Sequence, residues 1–130
     1  MKQIISPIYL AGNKKKLLPD IMPHLLVEGR DTFIDLFGGS GTVSVNVNST
    51  GHYKNILYNE KDKHIFGLQK HVVTNDNDFS VMQFLHNQYA KTKVDFEELR
   101  DSYNKLPCYD KLYLLMCRSN SNMIRFNKSG

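Results

Sequence analysis

Residues 31–41 read DTFIDLFGGSG, and this stretch constrains the fold more than any other. Apolar residues at 33, 34, 36 and 37 form a short run rather than an alternation. That is the pattern of a strand buried on both faces, as in a parallel sheet. Gly38, Gly39 and Gly41 follow at once. Lacking a Cβ, glycines reach positive φ and let another group approach the backbone. In an open parallel sheet, ligands bind beyond the carboxyl ends of the strands, which is where these glycines fall. A second buried-strand candidate, KNILYNE at 54–60, ends in Glu60, about twenty residues downstream. An acid at that place can accept two hydrogen bonds from ribose hydroxyls, which points to a ligand carrying adenosine.

The loop by itself leaves several readings open. A P-loop needs GxxxxGK[ST], and no lysine follows these glycines, so that reading is discarded. A dinucleotide fingerprint needs GxGxxG, and residues 39–44 supply two of its three glycines, with Ser44 in the third place. A site for S-adenosyl-L-methionine also puts glycines after the first strand and an acid after the second. A tight turn with no ligand is the remaining reading.

Around this loop the chain reads as helix, strand, helix, strand, helix, then an all-helical stretch. Residues 14–27 carry helical spacing at Leu17, Leu18, Ile21 and Leu25, with Pro19 and Pro23 working against it. Residues 41–48, GTVSVNVN, have strand-forming β-branched residues in a place where the parallel pattern wants a helix. KDKHIFGLQKHVV predicts a helix with Ile65, Leu68 and Val72 on one face. TNDNDF at 74–79 is a polar break with capping residues. Three amphipathic segments follow, FSVMQFLHNQYAK, DFEELRDSYNKL and, after Pro107, YDKLYLLMCRS. The alternating first part predicts an α/β fold with a parallel sheet.

Length and charge narrow the setting. At 130 residues there is room for one modest core. The apolar runs are far shorter than the roughly 18–20 residues of a membrane-spanning helix. No signal peptide is read at the N-terminus, so the expected location is the cytoplasm. Cys108 and Cys117 suit a reducing compartment and are expected to be buried thiols rather than metal ligands. A net charge of +4 and a pI near 9.0 are compatible with a polyanionic partner without requiring one.

Three blocks taken in order carry a family resemblance. They are AGNKKKLLP at 11–19, FIDLFGGSGTVSVNV at 33–47 with ILYNEKDKHI at 56–65, and RSNSNMIRFNKSG at 118–130. In this order and spacing the chain resembles the N-terminal half of Dam-type DNA adenine-N6 methyltransferases, their T-even phage branch in particular. The resemblance covers almost the whole chain and is thinnest over 74–107.

It implies a partial, Rossmann-like methyltransferase sheet over 1–73 that binds S-adenosyl-L-methionine (SAM). A truncated helical segment for target recognition would follow over 74–130. Lys14 falls at the family's cofactor-contacting lysine, where a cation suits the carboxylate of SAM. Leu10 stands two residues before Gly12, where the family usually has an aromatic residue, with Tyr9 one earlier. Asp35, Phe37, Gly38 and Gly39 match the cofactor loop, and Glu60 the acidic ribose position. Arg118, Asn122, Arg125 and Asn127 match the segment that meets double-stranded DNA. Arg and Asn are types that contact phosphates and base edges.

The resemblance also exposes a gap. The family holds the target adenine's amine with an Asp-Pro-Pro-Tyr type motif around a flipped base. Here the prolines are Pro7, Pro19, Pro23 and Pro107, with no Pro-Pro pair. The expectation is a chain cut off before its catalytic motif, inactive alone, that works with a missing C-terminal half or in a homo-oligomer. The cell would be bacterial or phage-infected. Against this stands a free-standing, non-catalytic SAM- or DNA-binding protein, either a regulator or an anti-restriction mimic. A nucleotide-binding regulatory domain is a third reading.

Overall fold

Described here, in a computed structural model, are residues 3–74, 79–89 and 92–126. The chain divides into two compact units, Met1–Gln69 and Lys70–Gly130.

In the first unit a short 3-10 turn, Lys15–Leu17, leads into helix α1, Leu18–Leu25. Pro19 sits in its first turn, where a missing N–H is harmless. Strand β1, Thr32–Asp35, and strand β2, Asn55–Tyr58, form a two-stranded parallel sheet. Thr32 pairs with Asn55, Phe33 with Ile56, Ile34 with Leu57 and Asp35 with Tyr58. Between them runs helix α2, Thr42–Ser49. Its β-branched residues would suit a strand, but tertiary context decides otherwise, as it often does for weak propensities. Gly41 caps α2 in the left-handed region at φ 72°.

One face of the sheet is covered. Leu18 and Met22 of α1 and Val47 of α2 form a core with Phe33, Ile56 and Tyr53 packed against it. Burying each such side chain contributes about 1.5–3 kcal/mol. The other face differs from the two-sided burial expected of β1. Ile34 is 54% exposed and Leu57 53%. The apolar run is therefore a real strand signal whose second face has no covering layer among the described residues.

The buried side of α2 is polar. Thr42, Ser44 and Asn46 are all buried, and unpaired polar groups there would cost about 1–3 kcal/mol each. They are paired. Asn46 accepts the Ile4 N–H at 2.9 Å through Oδ1, and its Nδ2 donates to the carbonyls of Ile4 at 2.9 Å and Thr42 at 2.8 Å. Ser6 donates to the Ser40 carbonyl, which holds residues 4–8 along α2.

Helix α3, Lys63–Thr74, carries the boundary between the units and buries Ile65 and Leu68. The second unit contains α4 (Ser80–Tyr89), α5 (Lys93–Lys105) and α6 (Tyr109–Arg118). Leu85, Leu99 and Leu114, one from each helix, form its core. Thr92 caps α5 with a reciprocal box: it accepts the Asp95 N–H at 3.1 Å while Asp95 accepts the Thr92 N–H at 2.7 Å. The polar break expected at 74–79 falls mostly outside the described residues. The cysteines depart from expectation, since Cys117 is exposed and Cys108 only half-buried. The residues that α6 buries are Leu112, Leu114 and Met116, and Cys117 is not among them. Among the described residues no helix is long and apolar enough to cross a membrane.

Candidate functional site

The glycine loop leaves β1 and is gripped by the residues that end β2. The Asn59 carbonyl accepts the Gly38 N–H at 2.9 Å, and the Asn59 amide donates to the Leu36 carbonyl at 2.9 Å. Glu60 accepts the Gly39 N–H at 2.8 Å through Oε2. Its other oxygen accepts the Asp62 N–H at 2.9 Å. The Tyr58 hydroxyl donates to the Gly39 carbonyl at 2.6 Å. Gly38 shows why no larger residue fits here, because a Cβ would stand 2.1 Å from Tyr58 Cε2. Gly39 is in the left-handed region at φ 52°. Burial pushes the Tyr58 phenol well above its ordinary pKa, helped by the negative charges of Glu60 and Asp35, so it remains a proton donor.

Beside the loop is a small cleft of about 90 Å³. Its walls bring together five of the seven sequence-expected cofactor residues, Leu10, Lys14, Phe37, Gly38 and Gly39. The Lys14 ammonium lies 3.4 Å from the Gly12 carbonyl at the cleft wall. Phe37 is 92% exposed, an unusual position for a phenylalanine and one that offers a flat apolar face beside the cleft. The remaining two stand just outside. Glu60 is bonded to Gly39, and Asp35 accepts the Ser44 hydroxyl at 2.6 Å.

The residues fit an adenosine-bearing group with a carboxylate tail. Each Glu60 oxygen uses one acceptor direction on a backbone N–H and has another with which it could accept a ribose hydroxyl. Lys14 provides the cation, and the bare backbone at Gly38 and Gly39 provides close approach.

In the second unit the expected DNA-contacting residues part company. A groove of about 480 Å³ is lined by Arg118 and Arg125, with Phe96, Tyr103 and Phe126 among its apolar walls. Arg118 turns its guanidinium inward. Nη1 donates to the Tyr89 carbonyl and Nη2 to the Thr92 carbonyl at 2.6 Å, and the group lies 5.7 Å from the Phe96 ring centroid. Arg125 is exposed, with Nη2 3.4 Å from Met123 Sδ. Asn122 follows Ser121 in a tight turn where both have positive φ, 51° and 60°, and it does not line the groove. Such φ values are uncommon outside glycine, and Asn tolerates them better than Ser. Asn127 lies outside the described residues.

Sequence reasoning missed Tyr58. Its signal was present in the spacing, because residues two apart on a strand share a face and Tyr58 stands two before Glu60. The grip of Ser44 on Asp35 was missed as well; Ser44 entered only as the failed third glycine of a dinucleotide fingerprint.

Comparison with known proteins identifies the family. The family described as D12 class N6 adenine-specific DNA methyltransferase matches residues 10–130. The Type II methyltransferase M.FokI of Planomicrobium okeanokoites is 28% identical over 134 aligned residues, covering 97% of this chain and 20% of that protein. The modification methylase StsI of Streptococcus sanguinis is 32% identical over 133 aligned residues, covering 98% of this chain and 20% of that protein. The chain thus spans about one fifth of the length of these curated relatives. With residues 10–130 matched by one family model, the chain belongs to the D12 class of N6 adenine-specific DNA methyltransferases.

Proposed function

We propose that this chain holds SAM at its glycine loop and meets double-stranded DNA through its second unit, as part of a site-specific adenine-N6 methylation activity in the cytoplasm. The observation that carries the reading is the cleft in which Leu10, Lys14, Phe37, Gly38 and Gly39 converge, with Glu60 fixed at its edge. Bound there, SAM supplies an electrophilic methyl group. Lys14 pairs with its carboxylate, Glu60 accepts from its ribose, and Phe37 shields its apolar surface. Asp35, held by Ser44, keeps the end of β1 in place behind the loop.

On this reading residues 1–73 form the cofactor part and 74–130 the target-recognition part. Arg118, Asn122, Arg125 and Asn127 belong to the DNA-facing segment, with Arg125 the exposed cation. No Pro-Pro pair occurs in the 130 residues, so the grip on the flipped adenine is assigned to other residues of the working enzyme. The contribution of this chain is binding and orientation.

Titration calorimetry with SAM on the 130-residue chain tests the proposal. Heat of binding is expected, and Glu60→Ala should weaken affinity by roughly tenfold, the effect of losing one or two hydrogen bonds to a charged acceptor. Equal affinities would remove Glu60 from the site. No heat from the unaltered chain would overturn the cofactor assignment.

A further inference from the structure

Two successive peptide planes meet at the Gly39 Cα, and only its φ and ψ lie between them. The plane before it is held through the Gly39 N–H, which Glu60 accepts at 2.8 Å. The plane after it is held through the Gly39 carbonyl, which accepts the Tyr58 hydroxyl at 2.6 Å. Fixing both planes fixes the residue between them, here in the left-handed region at φ 52°. Both grips come from one strand end, two residues apart. The Tyr58 ring is itself located, stacked 6.1 Å from Phe66 and filling the space a Gly38 side chain would need. Tyr58 thus does more than pack under the loop: its hydroxyl donates to the carbonyl of Gly39 itself.

We propose that Tyr58 is a positioning residue of the cofactor loop, which holds the Gly39 carbonyl so that the backbone face of Gly38 and Gly39 stays open toward the cleft. Glu60 then has two tasks, one toward the loop backbone and one toward the ligand. Rotation of the Gly39 carbonyl, once the hydroxyl is gone, would turn its oxygen into the cleft and obstruct the close approach that the bare backbone allows. This deepens the SAM reading and rests on it for its ligand, but its structural half can be read without any ligand.

The test is Tyr58→Phe, which keeps the ring and its packing and removes only the donor. Amide hydrogen exchange of the labelled 130-residue chain is followed at Gly39 and, as a reference for global opening, at the fully buried Val47. With its carbonyl side released, Gly39 turns more freely about its φ and ψ and breaks its N–H bond to Glu60 more often. Exchange at Gly39 is therefore expected to rise roughly tenfold, with Val47 unchanged, and SAM affinity to fall by a similar factor. Unchanged exchange at Gly39 would overturn the proposal. An equal rise at Gly39 and Val47 would also overturn it, since the hydroxyl would then only stabilise the unit as a whole. If the unaltered chain binds no SAM yet Tyr58→Phe frees Gly39 selectively, the positioning role stands and the cofactor reading falls.

Discussion

The two units of this chain prepare a surface for a ligand by opposite means. In the first, side chains act on backbone. Tyr58, Asn59 and Glu60 hold the peptides of residues 36–39, so the loop meets the cleft at Gly38 and Gly39 as main chain without Cβ atoms. In the second, the groove is lined by side chains, and of its arginines Arg118 is committed to carbonyls within its own unit. A backbone-built site tolerates almost no change of residue at the contact point. A side-chain-built surface tolerates change wherever a residue is not also a structural tie. The same residue type, arginine, therefore has two meanings a few positions apart.

The largest expected effect comes from the first unit. Gly38→Ala would drive a Cβ into a Tyr58 ring that is tied at its hydroxyl and stacked on Phe66. It should cost about 3 kcal/mol, at the upper end for overpacking, and urea unfolding measures it. A loss below about 0.5 kcal/mol would mean that the loop is loosely held and the contrast between the units is false.

Arg118 and Arg125 provide the next test. Arg118→Ala removes two charge-assisted bonds and a ring contact, and should lower stability by about 2 kcal/mol. Arg125→Ala should leave stability within about 0.5 kcal/mol while reducing the salt dependence of DNA binding by about one unit of slope. Fluorescence anisotropy in a salt series, beside urea unfolding, separates the two. If Arg118→Ala weakens DNA binding with no loss of stability, its role as a tie is wrong.

The smallest effect lies at high pH, and both units share it. Burial raises the Tyr58 phenol, and it pushes Tyr113 up to about 12, with Cys117 nearby adding to the shift. A folded pKa above the unfolded value of 10.0 contributes stability that is fully present below that value and is lost as pH rises through the folded pKa. Urea midpoints should thus fall from about pH 8 to about pH 11, and fall less in Tyr113→Phe. An unchanged slope in that variant would remove Tyr113 from the alkaline loss and leave it to Tyr58, Tyr103 and Cys117, which burial also raises.

How legible the molecule was follows the same division. The strand before the glycines, the acid after the second strand and the cleft residues could be anticipated because each rests on a strict local need: an apolar run, a missing Cβ, a charge at a strand end. The helix at Thr42–Ser49 is ambiguous in sequence because its composition contradicts its place, and half-buried hydrogen bonds to Ile4 and Asp35 resolve that only in three dimensions. Tyr58 was invisible as a grip because a tyrosine in a strand is ordinary. The inward turn of Arg118 was invisible because it depends on Tyr89 and Thr92, 29 and 26 residues away, offering carbonyls to it.

One contact also has a consequence in time. Asn46 binds both the N–H and the carbonyl of Ile4, across 42 residues of sequence. A chain leaving the ribosome makes residues 3–9 before α2, yet they have nothing to dock on until α2 has emerged. Residues 10–14, one wall of the cleft, continue directly from that segment and so take their place only after the docking. The cleft is built backwards with respect to synthesis, its earliest-made wall waiting for the latest-made parts of the loop and helix to give it a seat.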